Sequence, residues 1–141
     1  MIRLIALLLC LPVAATAQSS KAAAYLLDQN IAEACNGGPG TAGPGTLVEA
    51  DFDGDGRQDL LIAHEGIACR TADSPLGRSG LCGMQVCSVR IYLRRGQLLD
   101  LKEDFLGGGI TVDTRATPPV IGGYAHGGAR WSMRWQNGGF R

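Results

Sequence analysis

An acidic stretch near the middle of the chain carries the residue types best suited to metal chemistry. Residues 51–59 read Asp-Phe-Asp-Gly-Asp-Gly-Arg-Gln-Asp, so that four aspartates crowd one short segment. Carboxylates this close repel one another unless a cation lies among them, and Ca²⁺ takes roughly 6–8 such oxygen ligands in flexible loops. The predicted ligands are the side chains of Asp51, Asp53, Asp55 and Asp59 and the backbone carbonyl of Arg57.

Two glycines in the same stretch support a loop that turns back around an ion. Gly54 and Gly56 separate the aspartates, and glycine adopts positive φ without steric cost. The simpler alternative is an ordinary Asp-Gly turn between two strands. Four acids in register favour a calcium loop over that alternative.

The flanks of this loop exclude an EF-hand. An EF-hand requires a bidentate Glu at the twelfth loop position and a helix on each side. Counted from Asp51, that position is the apolar Ile62. The runs at 47–50 and 60–63 are short and apolar, as is typical of strands.

The pattern D-x-D-G-D-G-x-x-D-L between two strands resembles the FG-GAP or VCBS-type repeat, the calcium-bearing blade unit of integrin-α-like propellers. The chain is more similar to small exported bacterial proteins that carry one such region, a Cys-Gly…Cys hairpin and a Trp-rich last strand. Residues 51–62 carry the resemblance, and residues 82–95 support it. It implies calcium binding and an extracytoplasmic setting, and it implies no reaction. A propeller needs at least four blades and this chain has room for two, so we expect its sheet to close differently.

The first residues have the composition of a secretory signal peptide. A short positive start precedes an apolar run over residues 4–13, and Ala15-Thr16-Ala17 forms a small-residue cleavage site. The run is too short to span a bilayer, which needs about 20 residues. We therefore predict a signal peptide over 1–17 and a single FG-GAP/VCBS-like calcium-binding domain over 18–141, exported to the periplasm or secreted, without membrane insertion after cleavage.

Composition limits the classes of partner and the size of the core. The formal net charge is zero and glycine accounts for 21 of 141 residues, which favours turns and short strands over long helices. No basic face suited to nucleic acid is apparent. Aromatic residues make up only 6% of the chain, and a small domain with such a core often needs cross-links or metals.

Four cysteines follow the predicted cleavage site, at positions 35, 69, 82 and 87. An even number in an exported chain indicates disulfides, for which three pairings are possible. We favour Cys82–Cys87 across a hairpin and Cys35–Cys69 between the helix and the segment after the acidic loop. A zinc site is the alternative, but the chain lacks a paired Cys-x-x-Cys spacing.

The remaining pattern predicts a mainly β (α+β) fold, with a small antiparallel, propeller-blade-like sheet, one N-terminal helix packed on it, and disulfides. Ser19-Ser20 would cap a helix over 21–35 with a partial apolar stripe, and Asn36-Gly37-Gly38 would stop it. The Gly-rich stretch 37–45 would be a flexible loop rather than a dinucleotide site. The expected strands are 47–50, 60–64, 86–94, 97–102, 110–113, 120–124 and 129–135, with a surface loop over 66–81 and a break at 106–109. The strand over 86–94 alternates, with Val89, Ile91 and Leu93 on one face. Asn137-Gly138 predicts a final hairpin.

Two further groups of residues could carry function. A weak internal repeat places His64 and His126 at equivalent strand ends, where two histidines with a carboxylate could bind a transition metal or transfer protons. Two exposed polar residues are the simpler interpretation. Trp131 and Trp135 lie four apart on one strand face and are core anchors or, if exposed, a surface for a partner. The acids considered as candidates for such a site are Glu49, Glu65, Asp100, Glu103 and Asp104.

These observations predict an exported, non-catalytic structural or interaction module in which Ca²⁺ stabilises a strand-loop-strand hairpin. Its partner would be a protein or a glycan. The chain contains no G-x-S-x-G, H-E-x-x-H or P-loop motif. The alternative is a small periplasmic enzyme or enzyme inhibitor that uses the acidic loop only as scaffold.

Overall fold

The computed structural model describes residues 20–70 and 77–141, so the predicted signal peptide over 1–17 lies outside the described residues. The elements in chain order are α1 (Lys21–Ala34), β1 (Gly40–Ala42), β2 (Leu47–Ala50), β3 (Asp59–Ala63), a 3-10 turn (His64–Gly66), β4 (Ile67–Cys69), β5 (Cys87–Arg95), β6 (Leu98–Asp113), β7 (Val120–Tyr124), β8 (Arg130–Met133), β9 (Trp135–Gln136) and β10 (Gly139–Phe140).

The main sheet has six antiparallel strands in the order β2-β3-β5-β6-β7-β8, and two small ladders join β1 to β4 and β9 to β10. The predicted mainly β fold, with one helix packed on an antiparallel sheet, is confirmed. The sheet has two strands more than the four of a propeller blade. It curls so that its second half folds back over the first and covers one face, while α1 covers the other.

Alternation along β5 divides the core between these two faces. Val89, Ile91 and Leu93 point into the larger cluster, with Phe52, Leu61 and Ile121, as the alternating pattern predicted. Tyr92 points the other way and packs with Leu60, Ile62 and Ala23 of α1. Because β3 is buried on both faces, it reads as a continuous apolar run rather than an alternating one.

The helix begins and ends where local chemistry dictates. Ser20 is the N-cap, and its hydroxyl accepts a hydrogen bond from the Ala23 amide at 3.2 Å. Asn36 and Gly37 take positive φ of 50° and 76°, which ends the helix within one residue of the predicted position. Over the described ranges, no helix combines the length and hydropathy needed to cross a membrane.

Both favoured disulfides are present, Cys35–Cys69 and Cys82–Cys87. The first closes a cluster that also contains Ala34, Ile67 and the partly buried Ile31. Disulfides of this kind indicate that the protein folds in an oxidising compartment, as exported proteins do.

Two stretches predicted as loops instead pair with each other. Gly40–Ala42 forms a ladder with Ile67–Cys69, so the Gly-rich stretch is not simply flexible, and neither is the start of the predicted loop over 66–81. A Cβ on Gly40 would lie 2.7 Å from the Sγ of Cys35 and 2.8 Å from Ile31. Glycine here therefore allows the strand to approach the disulfide, a contact that no local pattern reveals.

The predicted break at residues 106–109 is wrong, because β6 is a single strand of 16 residues that includes them. The strand bulges between Gly108 and Thr111 instead of ending. The Glu65 carboxylate accepts hydrogen bonds from the amides of Gly109 and Ile110, both at 2.8 Å. The Tyr124 ring covers the bulge so closely that a Cβ on Gly108 would lie 2.5 Å from it. The glycines bend the strand and do not stop it.

The last part of the chain forms a tight hairpin. Asn137 and Gly138 take φ of 50° and 81°, as the Asn-Gly signal predicted. The strand predicted over 129–135 divides at Arg134 into β8 and β9, and β9 then pairs with β10 rather than with the main sheet.

Candidate functional site

The acidic stretch is the loop of the β2–β3 hairpin. Ala50 pairs with Asp59 across the two strands, so residues 51–58 close the turn between them. Gly54 and Gly56 have φ of 76° and 85°, which confirms the predicted positive values. The loop therefore folds back on itself where the sequence placed glycines.

Three of the four predicted carboxylates converge. Asp51, Asp53 and Asp59 each offer a carboxylate oxygen, and these atoms all lie within 4.8 Å of one another. Two oxygens that bind one Ca²⁺ at 2.3–2.6 Å can be separated by no more than about 5 Å. The three carboxylates meet this limit, and their hard oxygens are the ligands that Ca²⁺ prefers, so the residues present fit the ion.

The fourth carboxylate, Asp55, stands apart from this group. The guanidinium of Arg57 donates to it from Nη2 at 2.6 Å and from Nε at 2.9 Å, and the Arg57 amide donates at 2.9 Å. The hydrogen bond from the Arg57 side chain is the largest cause of the lowered pKa of Asp55. The structure therefore assigns the Asp55 side chain to Arg57, and only Asp51, Asp53 and Asp59 come together as predicted.

Asp59 is the structural centre of the loop, because it is fully buried and both of its carboxylate oxygens accept backbone hydrogen bonds. Its Oδ2 accepts from the amides of Phe52 at 2.8 Å and Asp53 at 3.3 Å, and its Oδ1 accepts from the Arg94 amide of β5 at 2.7 Å. Burial raises the pKa of Asp59, and the bonds from Arg94 and Phe52 oppose that rise. One side chain thus fixes the start of the loop against the neighbouring strand.

Asp51 and Asp53 are oriented by the loop backbone. Asp51 accepts from the amides of Asp55 at 3.0 Å and Gly56 at 2.8 Å, and Asp53 accepts from the Asp55 amide at 3.2 Å. These bonds hold the carboxylates in fixed positions near Asp59.

The Arg95 guanidinium lies beside the three carboxylates, a contact that the sequence did not predict. Arg95 Nη1 lies 3.0 Å from Asp53 Oδ2 and 3.6 Å from Asp55 Oδ2. Arg95 ends β5, and β5 pairs with β3, whose first residue is Asp59. The Arg94-Arg95 pair before Gly96 is visible in the sequence, but its contact with the loop depends on the order of strands in the sheet.

His64 lies in a buried polar network and not in an open site. Its Nε2 is 2.9 Å from Asn30 Oδ1, its Nδ1 is 3.2 Å from Ser79 Oγ, and the side chain has no exposure. Both ring nitrogens are therefore occupied. His126 lies exposed in the turn after β7, so the structure does not join the two histidines through a hydrogen bond.

The network continues from Asn30 to charged groups at the edge of the helix–sheet interface. Arg90 Nη1 donates to Asn30 Oδ1 at 2.9 Å and to Glu33 at 2.6 Å, and Arg90 Nε donates to Asp104 at 3.0 Å. Asn30 also donates to the Tyr92 hydroxyl at 3.1 Å. The one feature of the sequence that could have indicated this network is the polar residue Asn30 within the apolar stripe of α1.

We predict that His64 makes stability fall as the solution is acidified. Burial is the largest cause that lowers its pKa from 6.5 to about 4, and the nearby Arg90 charge adds to it, while Glu33 and Asp104 act in the opposite sense. The unfolded chain therefore takes up a proton below about pH 6.5 that the folded protein does not. This stabilising contribution is complete above that pH and is lost as pH falls towards 4, by about 2 kcal/mol between pH 7 and 5.

Urea unfolding of the wild type and of His64→Gln at pH 7 and 5 checks this, because the variant has no imidazole to titrate. The free energy of unfolding of the variant should change by about 2 kcal/mol less between the two pH values. His126→Gln should retain the wild-type dependence. Equal pH dependence in wild type and His64→Gln would contradict the prediction.

The other candidate residues have structural contacts. Trp131 and Trp135 are half-buried against the larger core cluster, and each forms an edge-to-face pair, with Phe105 at 5.5 Å and Phe140 at 5.2 Å. Glu49 accepts from the amide and hydroxyl of Ser20, Glu65 from the β6 bulge, and Asp104 from Ser88 and Arg90. Asp100 and Glu103 lie on β6.

Comparison of the chain with protein-family models, with curated proteins and with solved structures found no match.

Proposed function

We propose that the protein is an exported, non-catalytic structural or interaction module whose β2–β3 loop binds Ca²⁺. The observation that supports this best is the convergence of Asp51, Asp53 and Asp59, whose oxygens lie within 4.8 Å of one another. The resemblance of residues 51–62 to the FG-GAP/VCBS-type repeat points to the same ion. The predicted signal peptide and the two disulfides support the periplasm or the cell exterior as its location.

The loop's own residues prepare the site. Asp59 ties the loop to β5 through the Arg94 amide, and backbone amides orient Asp51 and Asp53. When bound, the ion supplies the positive charge that lets these carboxylates remain close. Because the unfolded chain offers no arranged set of ligands, ion binding stabilises the folded state.

Several contacts favour a non-catalytic role over the enzyme alternative. The His64 ring is buried and fully hydrogen-bonded, and His126 is exposed on a separate turn. The four cysteines of the described part of the chain are paired in disulfides and cannot act as nucleophiles. The partner proposed for the module is a protein or a glycan.

We expect Ca²⁺ to raise the melting temperature of the signal-free, oxidised protein by several degrees and a chelator to remove the effect. At a free ion concentration 100 times the Kd, the stabilisation is about 2.7 kcal/mol. Asp53→Ala should abolish the response, since it deletes one of the three converging carboxylates. Thermal unfolding in Ca²⁺ and in EDTA measures both effects.

Asp113→Ala is the matched control, because Asp113 is an exposed carboxylate outside the loop that pairs with Arg115. This variant should respond to Ca²⁺ as the wild type does. An unchanged melting temperature of the wild type in millimolar Ca²⁺, or an equal response in Asp53→Ala, would rule the proposal out.

A further inference from the structure

The last part of the chain is strongly basic although the whole protein is neutral. Residues 114–141 contain four arginines and no aspartate or glutamate, so they carry a net charge of +4, and the first 113 residues carry −4. The zero net charge of the whole chain conceals this difference between its two parts. The arrangement of β7 to β10 brings these charges together.

Two of the arginines lie directly opposite each other. The Arg134 amide donates to the Arg141 carbonyl at 2.9 Å, and the Arg141 amide donates to the Arg134 carbonyl at 3.0 Å. Residues that exchange both bonds face each other across an antiparallel pair, so their side chains leave the same side. Like charges placed opposite each other are destabilising. Neither residue pairs with an acidic side chain of the described part of the chain.

The pair opens onto a surface groove of about 400 Å³, whose lining residues are Val120, Ser132, Met133, Arg134, Gln136 and Arg141. This lining contains no aspartate or glutamate. Two guanidinium groups, the Ser132 hydroxyl and the Gln136 amide thus offer hydrogen-bond donors around one space. A bound anion there would remove the repulsion between the two arginines.

The donors extend along the neighbouring strand. Trp131 and Met133 pack into the core, so alternation along β8 directs Arg130 and Ser132 outward. Val120 and Ser132 also line an adjoining groove of about 520 Å³, in which Arg115 is ion-paired with Asp113 at 3.1 Å. We call Arg130, Ser132, Arg134, Gln136 and Arg141 the arginine face; all five are exposed.

We propose that the arginine face binds an acidic polysaccharide through its carboxylate or sulfate groups. Guanidinium groups pair with such oxyanions in a bidentate manner, and arginines spread over the exposed face of β8 and the last hairpin suit repeated charges on an extended chain better than a single ion. The hydroxyl and amide groups between them suit sugar hydroxyls.

The arginine face lacks the exposed aromatic rings that bind nucleic acid and the exposed apolar side chains that bind membranes. Nucleic-acid bases stack on exposed aromatic rings, but Trp131 and Trp135 are packed against the core. Membrane surfaces take up exposed apolar side chains together with basic ones. The large exposed apolar residues of the described chain are Tyr25, Met84, Leu98, Leu101 and Leu106, and none of them lines either groove.

The test is calorimetric titration of the signal-free, oxidised protein with an oligogalacturonate of about eight residues, at low salt and in EDTA. Working in EDTA makes the result independent of the proposed calcium site. We expect the oligogalacturonate to bind, and we expect added salt to weaken this binding. A neutral malto-oligosaccharide should not bind. Arg134→Gln/Arg141→Gln should bind at least about tenfold more weakly, the loss expected for charged hydrogen bonds.

Lys21→Gln/Arg70→Gln is the matched control, since it removes the same charge from exposed residues elsewhere and should bind within about twofold of the wild type. Arg134→Lys/Arg141→Lys keeps the charge and should recover part of the affinity. Near-ultraviolet circular dichroism verifies that each variant is folded.

Two outcomes would overturn the proposal. One is an equal loss of affinity in the control and in the Arg134/Arg141 variant, which would show a diffuse charge effect. The other is binding of duplex DNA or of vesicles with anionic lipid as tight as that of the oligogalacturonate. Absence of oligogalacturonate binding would likewise reject it and would leave the calcium proposal untouched.

Discussion

Replacing Asp59 by alanine is expected to lower the free energy of unfolding by about 3–5 kcal/mol. The substitution leaves three backbone amides without their acceptor, that of Phe52 in a buried hydrogen bond and those of Asp53 and Arg94 in partly buried ones. Each buried donor left without a partner costs about 1–3 kcal/mol. The measurement is urea unfolding in EDTA, so that loss of a calcium ligand does not contribute.

Two further variants separate this effect from a general loss of charge. Asp113→Ala removes an exposed carboxylate whose ion pair with Arg115 is solvated, and its unfolding should stay within about 0.5 kcal/mol of the wild type. Asp59→Asn keeps one acceptor oxygen and should fall between the wild type and Asp59→Ala. Wild-type stability of Asp59→Ala would mean that the carboxylate does not organise the loop.

Removing the Cys35–Cys69 disulfide is expected to cost about 3–4 kcal/mol. The bridge spans 34 residues and restricts the unfolded chain, and the entropy of closing a loop grows with its length. In the folded state it joins the end of α1 to β4, beside Ile31 and Ile67. Denaturant unfolding of Cys35→Ala/Cys69→Ala under oxidising conditions measures the cost.

The second disulfide provides the comparison. Cys82–Cys87 spans only five residues, so Cys82→Ala/Cys87→Ala should cost about 2 kcal/mol. A larger loss from the short bridge than from the long one would show that native contacts, and not restriction of the unfolded chain, determine the two contributions.

Local patterns predicted the features that depend on neighbouring residues. The Ser20 cap, the Asn36-Gly37 stop and the Asn137-Gly138 turn follow from backbone preferences. The alternation predicted for β5 is confirmed, because Val89, Ile91 and Leu93 point into one core cluster and Tyr92 points into the other. Both disulfides agreed with the pairing that the positions of helix and hairpin suggested.

The sequence failed where a distant segment supplies the missing contact. The ladder of Gly40–Ala42 with Ile67–Cys69 joins two stretches that look like loops when each is considered alone. The glycines of β6 continue a strand because Glu65, more than 40 residues away, binds the bulge. Tertiary hydrogen bonds here override the tendency of glycine to interrupt strands.

The candidate site was predicted in part for the same reason. The convergence of Asp51, Asp53 and Asp59 follows from spacing and glycine turns within one hairpin. The presence of Arg95 beside Asp53 depends on β5 being the neighbour of β3. The opposed Arg134 and Arg141 likewise appear only once the last hairpin is folded.

Calorimetric titration of the signal-free, oxidised protein with Ca²⁺ tests the central proposal most directly. The predicted result is saturable uptake of one ion per chain in the wild type and in Asp113→Ala, and none in Asp53→Ala. No uptake by the folded wild type, or equal uptake by Asp53→Ala, would contradict it, because the three converging carboxylates would then have no role in holding a cation.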